Sequence, residues 1–171
     1  RVNKLPTARP LGVDHEIIEV VCVPSLERCR DTLLRCLEVS FDLEWGHRWP
    51  RAGFFEQQSM SAFIQLLGYE AGRATKTFIV HLLIPDVRSN FRDLIGIPIF
   101  SSVDIVKTGH STAVGDLPIL MKDLGVIVCN LFDTQEADKV VMANQKCEPN
   151  CKPIGLIPLL LKYEIIGQND A

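Results

Sequence analysis

The chain has 171 residues, of which 47% are hydrophobic and 23% are charged, and its formal net charge is −3. This size and composition predict a single globular domain with its own hydrophobic core. The slightly negative charge excludes a general electrostatic attraction to nucleic acids or acidic membranes, and no apolar run reaches the ~20 residues of a membrane-spanning helix. Cys29 and Cys36 would lie ~10 Å apart on a helix, too far for a disulfide, and this cysteine usage favours a reducing compartment.

The chain opens with a segment, residues 1–13, that contains Pro6 and Pro10 and shows no hydrophobic periodicity. We interpret it as an extended arm, followed by a single globular domain over residues 14–171. Proline-rich extended segments dock well into grooves because they have little conformational entropy left to lose; a disordered tail is the alternative. The apolar, β-branched run His15–Val23 then predicts a strand.

The clearest helix of the sequence is predicted at Ser25–Trp49. Ser25 is a good N-cap residue, and apolar residues follow it at spacings of three and four. The members of this stripe are Leu26, Cys29, Leu33, Cys36, Leu37 and Phe41. We interpret the stripe as a core face that packs against a sheet, with binding to a partner helix as the alternative. Glu38, Asp42 and Glu44 form an acidic cluster at the end of this helix, which we interpret as solvated surface.

Strands dominate the prediction for the rest of the chain. The predicted strands are Met60–Leu67 (with a helix as the alternative), Thr75–Ile84 at the centre of the sheet, Leu94–Val106 as an irregular edge strand, Leu124–Phe132, and Gly155–Ile166. Asp86–Asp93 is predicted as a loop or a short turn of helix, Lys107–Asp116 as a loop, and Asp133–Met142 as a turn or a short helix. Strands and helices do not alternate regularly, so a parallel doubly wound sheet is not expected. The predicted fold class is α+β, with a mostly antiparallel sheet packed against one main helix plus a short second helix.

Two groups of side chains are candidates for chemistry. Cys147 and Cys151 lack the second pair of ligands that zinc needs, so we prefer two free loop thiols to a metal site or a local disulfide. His110 lies in a Gly-His-Ser loop near Asp104 and Asp116, but a Ser–His–Asp triad is defined by geometry, and the loop lacks the G-x-S-x-G nucleophile elbow. We therefore predict no catalytic residues, no metal site and no cofactor.

An aromatic and basic patch is predicted where the long helix ends. Its members are Trp45, Arg48, Trp49, Arg51, Phe54 and Phe55. This mixture can stack nucleic-acid bases or anchor a protein interface, and it can equally form the far end of the core.

The order of elements resembles that of the globular domain of rhabdovirus matrix proteins. The resemblance rests on IIEVVCVPS followed by LERCRDTLLRCLEVSFDLEWG, and on the strand, acidic turn and amphipathic run of Gly125–Asn144. It implies a non-enzymatic, self-associating structural protein of the virion that condenses the viral nucleocapsid and supports budding at the membrane.

The same resemblance implies partners and surfaces. The partners would be further copies of the chain, the nucleocapsid, the inner membrane surface and host proteins, without a small-molecule substrate. The protein would lie in the virion interior and the host cytoplasm, at the peripheral membrane face. The self-association segment would be the arm, through Leu5, Pro6, Pro10 and Leu11. The alternative function is an adaptor that binds protein or RNA through the Trp/Arg turn at residues 45–55.

Overall fold

The computed structural model describes residues 16–48, 58–70, 73–146 and 152–163. The strands are β1 (Ile17–Val20), β2 (Glu38–Arg48), β3 (Gln58–Glu70), β4 (Arg73–His81), β5 (Val106–Gly109) and β6 (Leu131–Asp133). The α-helices are α1 (Val23–Leu33), α2 (Pro85–Phe91), α3 (Asp116–Leu124), α4 (Thr134–Lys146) and α5 (Leu156–Lys162), and a π-helix (Arg92–Phe100) follows α2 directly. The predicted arm over residues 1–13 lies outside the described ranges, so its separation from one domain over 14–171 stays a prediction.

The six strands form one mixed sheet in the order β1-β4-β3-β2-β5-β6. β3 runs antiparallel to β2 and β4, whereas β1 is parallel to β4, and β2, β5 and β6 are parallel to one another. The predicted α+β class is confirmed, but the sheet is mixed and not mostly antiparallel. The difference arises because the segments after β4 and β5 are crossovers that contain helices, and such crossovers join parallel strands.

The predicted helix Ser25–Trp49 is wrong in its second half, which is a strand. α1 ends at Leu33, and β2 begins at Glu38. The buried side chains in the first half of β2 belong to Val39, Phe41 and Leu43. That period of two is a strand pattern. Leu37, which the predicted helical stripe placed in the core, is 73% exposed because it lies in the turn between the two elements.

α1 packs its predicted apolar face into the core. The amide of Cys22 donates to the Oγ of Ser25 at 3.2 Å, so Ser25 lies inside the first turn and not before it. Leu26, Cys29 and Leu33 are fully buried, which confirms the interpretation of these positions as a core face. Burial raises the pKa of the Cys29 thiol, so this cysteine acts as a small hydrophobic residue.

Three apolar segments predicted as strands are wholly or partly helical. The segment Leu94–Val106 begins in the π-helix, Leu124–Phe132 starts at the end of α3 and has only its last residues in β6, and Gly155–Ile166 contains α5. Periodicity cannot separate a short buried strand from a buried helix. The predicted strands Met60–Leu67 and Thr75–Ile84 are confirmed as parts of β3 and β4, and β4 lies inside the sheet. Among the described residues, no helix has the length and apolar character needed to cross a membrane.

Gly125 ends α3 in the left-handed conformation, with φ at 64°. Its amide donates to the carbonyl of Met121 at 3.1 Å. We expect Gly125→Ala to lower the free energy of unfolding by about 1–2 kcal/mol, because a Cβ is strained in this conformation. Urea unfolding of this variant is compared with that of Gly46→Ala, whose added Cβ would meet open space. Equal changes in the two variants would contradict the prediction.

Candidate functional site

Asp42 and Glu44 project from one face of β2. They are two residues apart and therefore point to the same side of the strand, opposite the buried face, and both are exposed. β2, β5 and β6 are parallel, so their carboxyl ends lie at one edge of the sheet. Open α/β sheets bind ligands outside the carboxyl ends of their strands, which makes this edge the place to look for a site.

Asp116 adds a third carboxylate at this edge. It is the first residue of α3, which follows β5, and it is only 9% exposed. Burial, together with the nearby carboxylates of Asp42, Glu44 and Asp133, raises the pKa of Asp116 to about 6. Negative charges gathered in this way favour a proton or a cation between them, and such perturbed groups are enriched at functional sites.

Asp133, at the end of β6, differs from the other three because its carboxylate is saturated with hydrogen bonds. Oδ1 accepts the amides of Ser111 and Gln135 at 3.1 and 2.9 Å, and Oδ2 accepts the amide and hydroxyl of Thr112 at 2.7 and 2.9 Å. Burial raises the pKa of Asp133, but the hydrogen bonds outweigh burial and leave this pKa below its ordinary value. Asp133 is therefore a structural anion rather than a free ligand.

The chemistry of the three remaining carboxylates fits a divalent cation. Carboxylate oxygens are the donors that Mg²⁺ and Mn²⁺ prefer, and the raised pKa of Asp116 reflects its burial and the negative charge of the neighbouring carboxylates. In the present arrangement, no three His, Cys, Asp or Glu side chains among the described residues are placed to hold one ion. Ligation would therefore require the exposed side chains of Asp42 and Glu44 to turn toward Asp116.

A β-bulge lies directly after Glu44. The pairing between β2 and β3 shifts between Glu44 and Trp45. The amide of Ser61 on β3 donates to Asp123 of α3 at 2.8 Å, and the other oxygen of Asp123 pairs with Arg88 of α2. Bulges beside active sites change the direction in which side chains point, so we expect this network to influence the orientation of the Glu44 side chain.

A shallow groove of about 260 Å³ adjoins Asp42 on the same sheet face. Its lining includes Ser40, Asp42, Gln65, Leu67 and Thr77. A second cavity, of about 510 Å³, lies between α1 and the amino ends of β1 and β4. That second cavity lies on the face of the sheet that α1 covers, so Asp42 adjoins the smaller of the two.

His110 follows β5 but is held by a threonine and not by a carboxylate. Its Nδ1 lies 2.9 Å from the Oγ1 of Thr134, and that hydroxyl donates to the carbonyl of Gly109 at 3.2 Å. Asp104 is exposed in the loop before β5, at the other edge of the sheet. The structure therefore does not assemble a triad from His110 and Asp104, whereas it does bring Asp116 to the acidic edge.

The predicted interaction surfaces are only partly described. Trp45 and Arg48 belong to β2, so the aromatic and basic patch does not follow the end of a helix, and Trp45 is 39% exposed. The residues outside the described ranges are Trp49, Arg51, Phe54 and Phe55 of the patch, Leu5, Pro6, Pro10 and Leu11 of the arm, and the cysteines Cys147 and Cys151. The roles predicted for them stay predictions.

The prediction of an acidic helix end at Asp42 and Glu44 is wrong, because these residues lie on a strand inside the sheet. The readable signal is the sequence VSFDLE, in which apolar residues alternate with polar ones. Two carboxylates at alternate positions of such a run share the solvent face of a strand. The third, Asp116, carries no local signal that joins it to them.

Comparisons with known proteins identify the fold. No protein-family model and no curated protein matches the sequence. Among solved structures, the catalytic core of RRP6 from Trypanosoma brucei matches with a TM-score of 0.65 at 24% identity, over 91% of this chain and 44% of the other. RNase D of the same organism, in a complex with GMP, matches with a TM-score of 0.68 at 16% identity, over 91% and 44%. The EXD2 exonuclease domain soaked in Mg and dGMP matches with a TM-score of 0.50 at 14% identity, over 86% and 68%.

These matches overturn the resemblance to rhabdovirus matrix proteins. The order of a strand, a helix and further strands recurs in many folds, so it did not specify one. The expectations of a non-enzymatic virion protein, of budding, and of nucleocapsid and membrane partners are therefore wrong. The exclusion of small-molecule substrates is also wrong for this fold, since the RNase D structure holds GMP.

The likeness extends over nearly all of this chain, but the chain spans 44% of the RRP6 and RNase D chains that it matches. Identities at or below 24% establish a shared fold and not a shared activity. The chain therefore has the fold of the RRP6, RNase D and EXD2 exonuclease domains.

Proposed function

We propose that this chain is the nuclease domain of a divalent-cation-dependent exonuclease that releases nucleotides from the 3′ end of an RNA strand. The observation that carries the proposal is the meeting of Asp42, Glu44 and Asp116 at the carboxyl edge of the sheet, in a chain with the fold of exonuclease domains. The GMP in the RNase D structure supports it, because a nucleoside monophosphate is the class of product that such hydrolysis releases.

Asp42, Glu44 and Asp116 would hold the cation. When bound, it supplies charge to the phosphate and lowers the pKa of a water molecule. The chain contributes oxygen donors from rigid elements: Asp42 and Glu44 stand on an interior strand, and Asp116 begins a helix. Asp116 must lose its proton to ligate, and its pKa of about 6 places this loss below neutral pH.

The test measures cation binding and hydrolysis on the full chain. A short single-stranded RNA labelled at its 5′ end should shorten by one nucleotide at a time with Mg²⁺ or Mn²⁺, and chelation with EDTA should stop the reaction. A DNA strand of the same sequence, run in parallel, measures the preference for RNA. Calorimetric titration with Mn²⁺ gives a second readout, which does not depend on parts of the longer relatives that this chain does not span.

Matched variants assign the effect to the acidic edge. Asp42→Asn and Glu44→Gln should weaken Mn²⁺ binding and hydrolysis together. Asp104→Asn removes the same charge from an exposed loop at the opposite edge and should change neither. The absence of both cation binding and hydrolysis in the unaltered chain, or an Asp42→Asn variant that retains both, would overturn the proposal.

A further inference from the structure

Asp133 fixes the loop that leads from β5 to Asp116. The carboxylate is 9% exposed and accepts two hydrogen bonds from Thr112, one from its amide at 2.7 Å and one from its hydroxyl at 2.9 Å. It also accepts the amides of Gln135 and Glu136 at 2.9 and 3.4 Å, which belong to the first turn of α4. One side chain therefore ties the loop to the start of a helix.

The tied loop is tight and strained. Ser111 has a φ of 59°, a left-handed conformation that costs a residue with a side chain roughly 1 kcal/mol or more. A Cβ at Gly109 would lie 2.3 Å from the Cγ2 of Thr112, so the chain folds closely back on itself. Strained backbone persists only where its surroundings hold it, and the hydrogen bond from the Ser111 amide to Asp133 at 3.1 Å supplies part of that hold.

Thr112 passes this constraint to α3. It is fully buried, and its carbonyl accepts the amide of Leu117 at 3.0 Å. Leu117 follows Asp116 directly in the first turn of the helix. A continuous path of hydrogen bonds thus runs from Asp133 through Thr112 to the backbone that carries the Asp116 carboxylate.

We propose that Asp133 and Thr112 are positioning residues, which hold the Asp116 carboxylate where it can share a cation with Asp42 and Glu44. Asp133 is not itself a ligand, because both of its oxygens are occupied by the loop and by α4. This proposal rests on the proposed function for its cation readout, but its structural part stands on the hydrogen bonds alone.

The experiment uses Thr112→Val, Asp133→Asn and a control, Thr75→Val. The first variant removes the hydroxyl donor at nearly constant volume and keeps the amide. The control removes a hydroxyl that donates at 3.0 Å to the carbonyl of Gly68, near the amino end of β4. Two quantities are measured in each: hydrogen-exchange protection of the Leu117 amide, and the Mn²⁺ concentration that half-saturates the chain.

We expect Asp133→Asn to lower the protection of Leu117 and to raise the half-saturating Mn²⁺ concentration by ~10–100-fold, the range found for partners that orient metal ligands. Thr112→Val should change the protection and the half-saturating concentration in the same directions but by smaller amounts. The test relies on this variant if Asp133→Asn does not fold. Thr75→Val should shift neither. Unchanged protection of Leu117 in Thr112→Val, or shifts equal to those of Thr75→Val, would overturn the positioning role. If the unaltered chain binds no Mn²⁺, the proposed function fails, while the protection of Leu117 still decides this inference.

Discussion

Asp116→Asn is expected to abolish activity and to stabilise the fold at neutral pH. As a proposed ligand, Asp116 should contribute more than the outer-shell partners of metal sites, so we expect a loss of more than about a hundredfold in cation-dependent hydrolysis. The gain in stability follows from its pKa, which burial and the carboxylates of Asp42, Glu44 and Asp133 raise from 3.8 to about 6. The folded chain therefore holds a charge here that it disfavours.

The direction of the pH dependence follows from proton binding. Between pH values of about 4 and 6, Asp116 is more protonated in the folded state than in the unfolded state, so its contribution to stability falls as pH rises through this window. Above pH 6 the carboxylate is ionised in both states, and its full destabilising effect on the folded state remains. Asn removes it, and the expected gain at pH 7.5 is on the order of 1–3 kcal/mol, reduced slightly by the loss of an acid from the first turn of a helix.

Urea unfolding at pH 7.5 and pH 4 measures this effect. The stabilisation by Asp116→Asn should be present at pH 7.5 and largely absent at pH 4, where the carboxyl is neutral in the fold. Asp104→Asn, which changes an exposed acid, provides the baseline at both values. A variant that is equally stable or less stable than the unaltered chain at pH 7.5 would show that Asp116 is not electrostatically strained.

Asp123→Ala is expected to destabilise the fold strongly. It removes the acceptor of the Ser61 amide, which belongs to a fully buried residue, and the carboxylate partner of the Arg88 guanidinium, whose side chain is 27% exposed. Arg88 keeps only its hydrogen bonds to the carbonyls of Ser61 and Leu82, at 3.3 and 3.4 Å. Breaking such a partly buried pair and orphaning an amide should cost on the order of 3 kcal/mol. Because these groups hold the bulge beside Glu44, cation affinity should fall as well.

An exposed ion pair supplies the comparison for Asp123→Ala. Asp93 pairs with Arg92 at 3.3 Å, and both side chains are more than half exposed, at 74% and 56%. Asp93→Ala should therefore cost less than about 1 kcal/mol. The two variants are unfolded in urea under the same conditions, and a similar loss in both would contradict the structural role assigned to Asp123.

The sequence contains a strand pattern at the residues that bear Asp42 and Glu44, but the same residues also fit a helical pattern. Val39, Phe41 and Leu43 alternate with polar residues as in a strand, while Leu33 and Phe41 also continue the helical stripe of α1. Local pattern favours neither interpretation decisively. The choice is made by tertiary pairing, since β2 lies between β3 and β5 and its alternate side chains are buried only there.

The candidate site was less accessible to prediction than the fold class. Asp42 and Glu44 lie two residues apart, so the sequence alone places them on one face of a strand. Asp116 comes near them only because β5 pairs in parallel with β2, and no local sequence pattern predicts that pairing. The segment that leads to β5 was expected to be an irregular strand at Leu94–Val106, because Gly96 and Pro98 disfavour a helix. Both residues nevertheless lie within the π-helix. The net charge of −3 argues against a general attraction to nucleic acids. An acidic site that binds phosphate through a bound cation does not require such an attraction.

The short strands at the margins of the sheet have a consequence for colloidal behaviour. The outermost strands, β1 and β6, have four and three residues, whereas β2 and β3 have 11 and 13 residues and lie inside the sheet. Within the described part of the chain, β5 pairs with β2 over Glu38–Ser40, and β4 pairs with β3 from Phe63 onward. Short outer strands are a common protection against edge-to-edge aggregation, so the two outermost strands of this sheet offer little length on which another molecule could extend it.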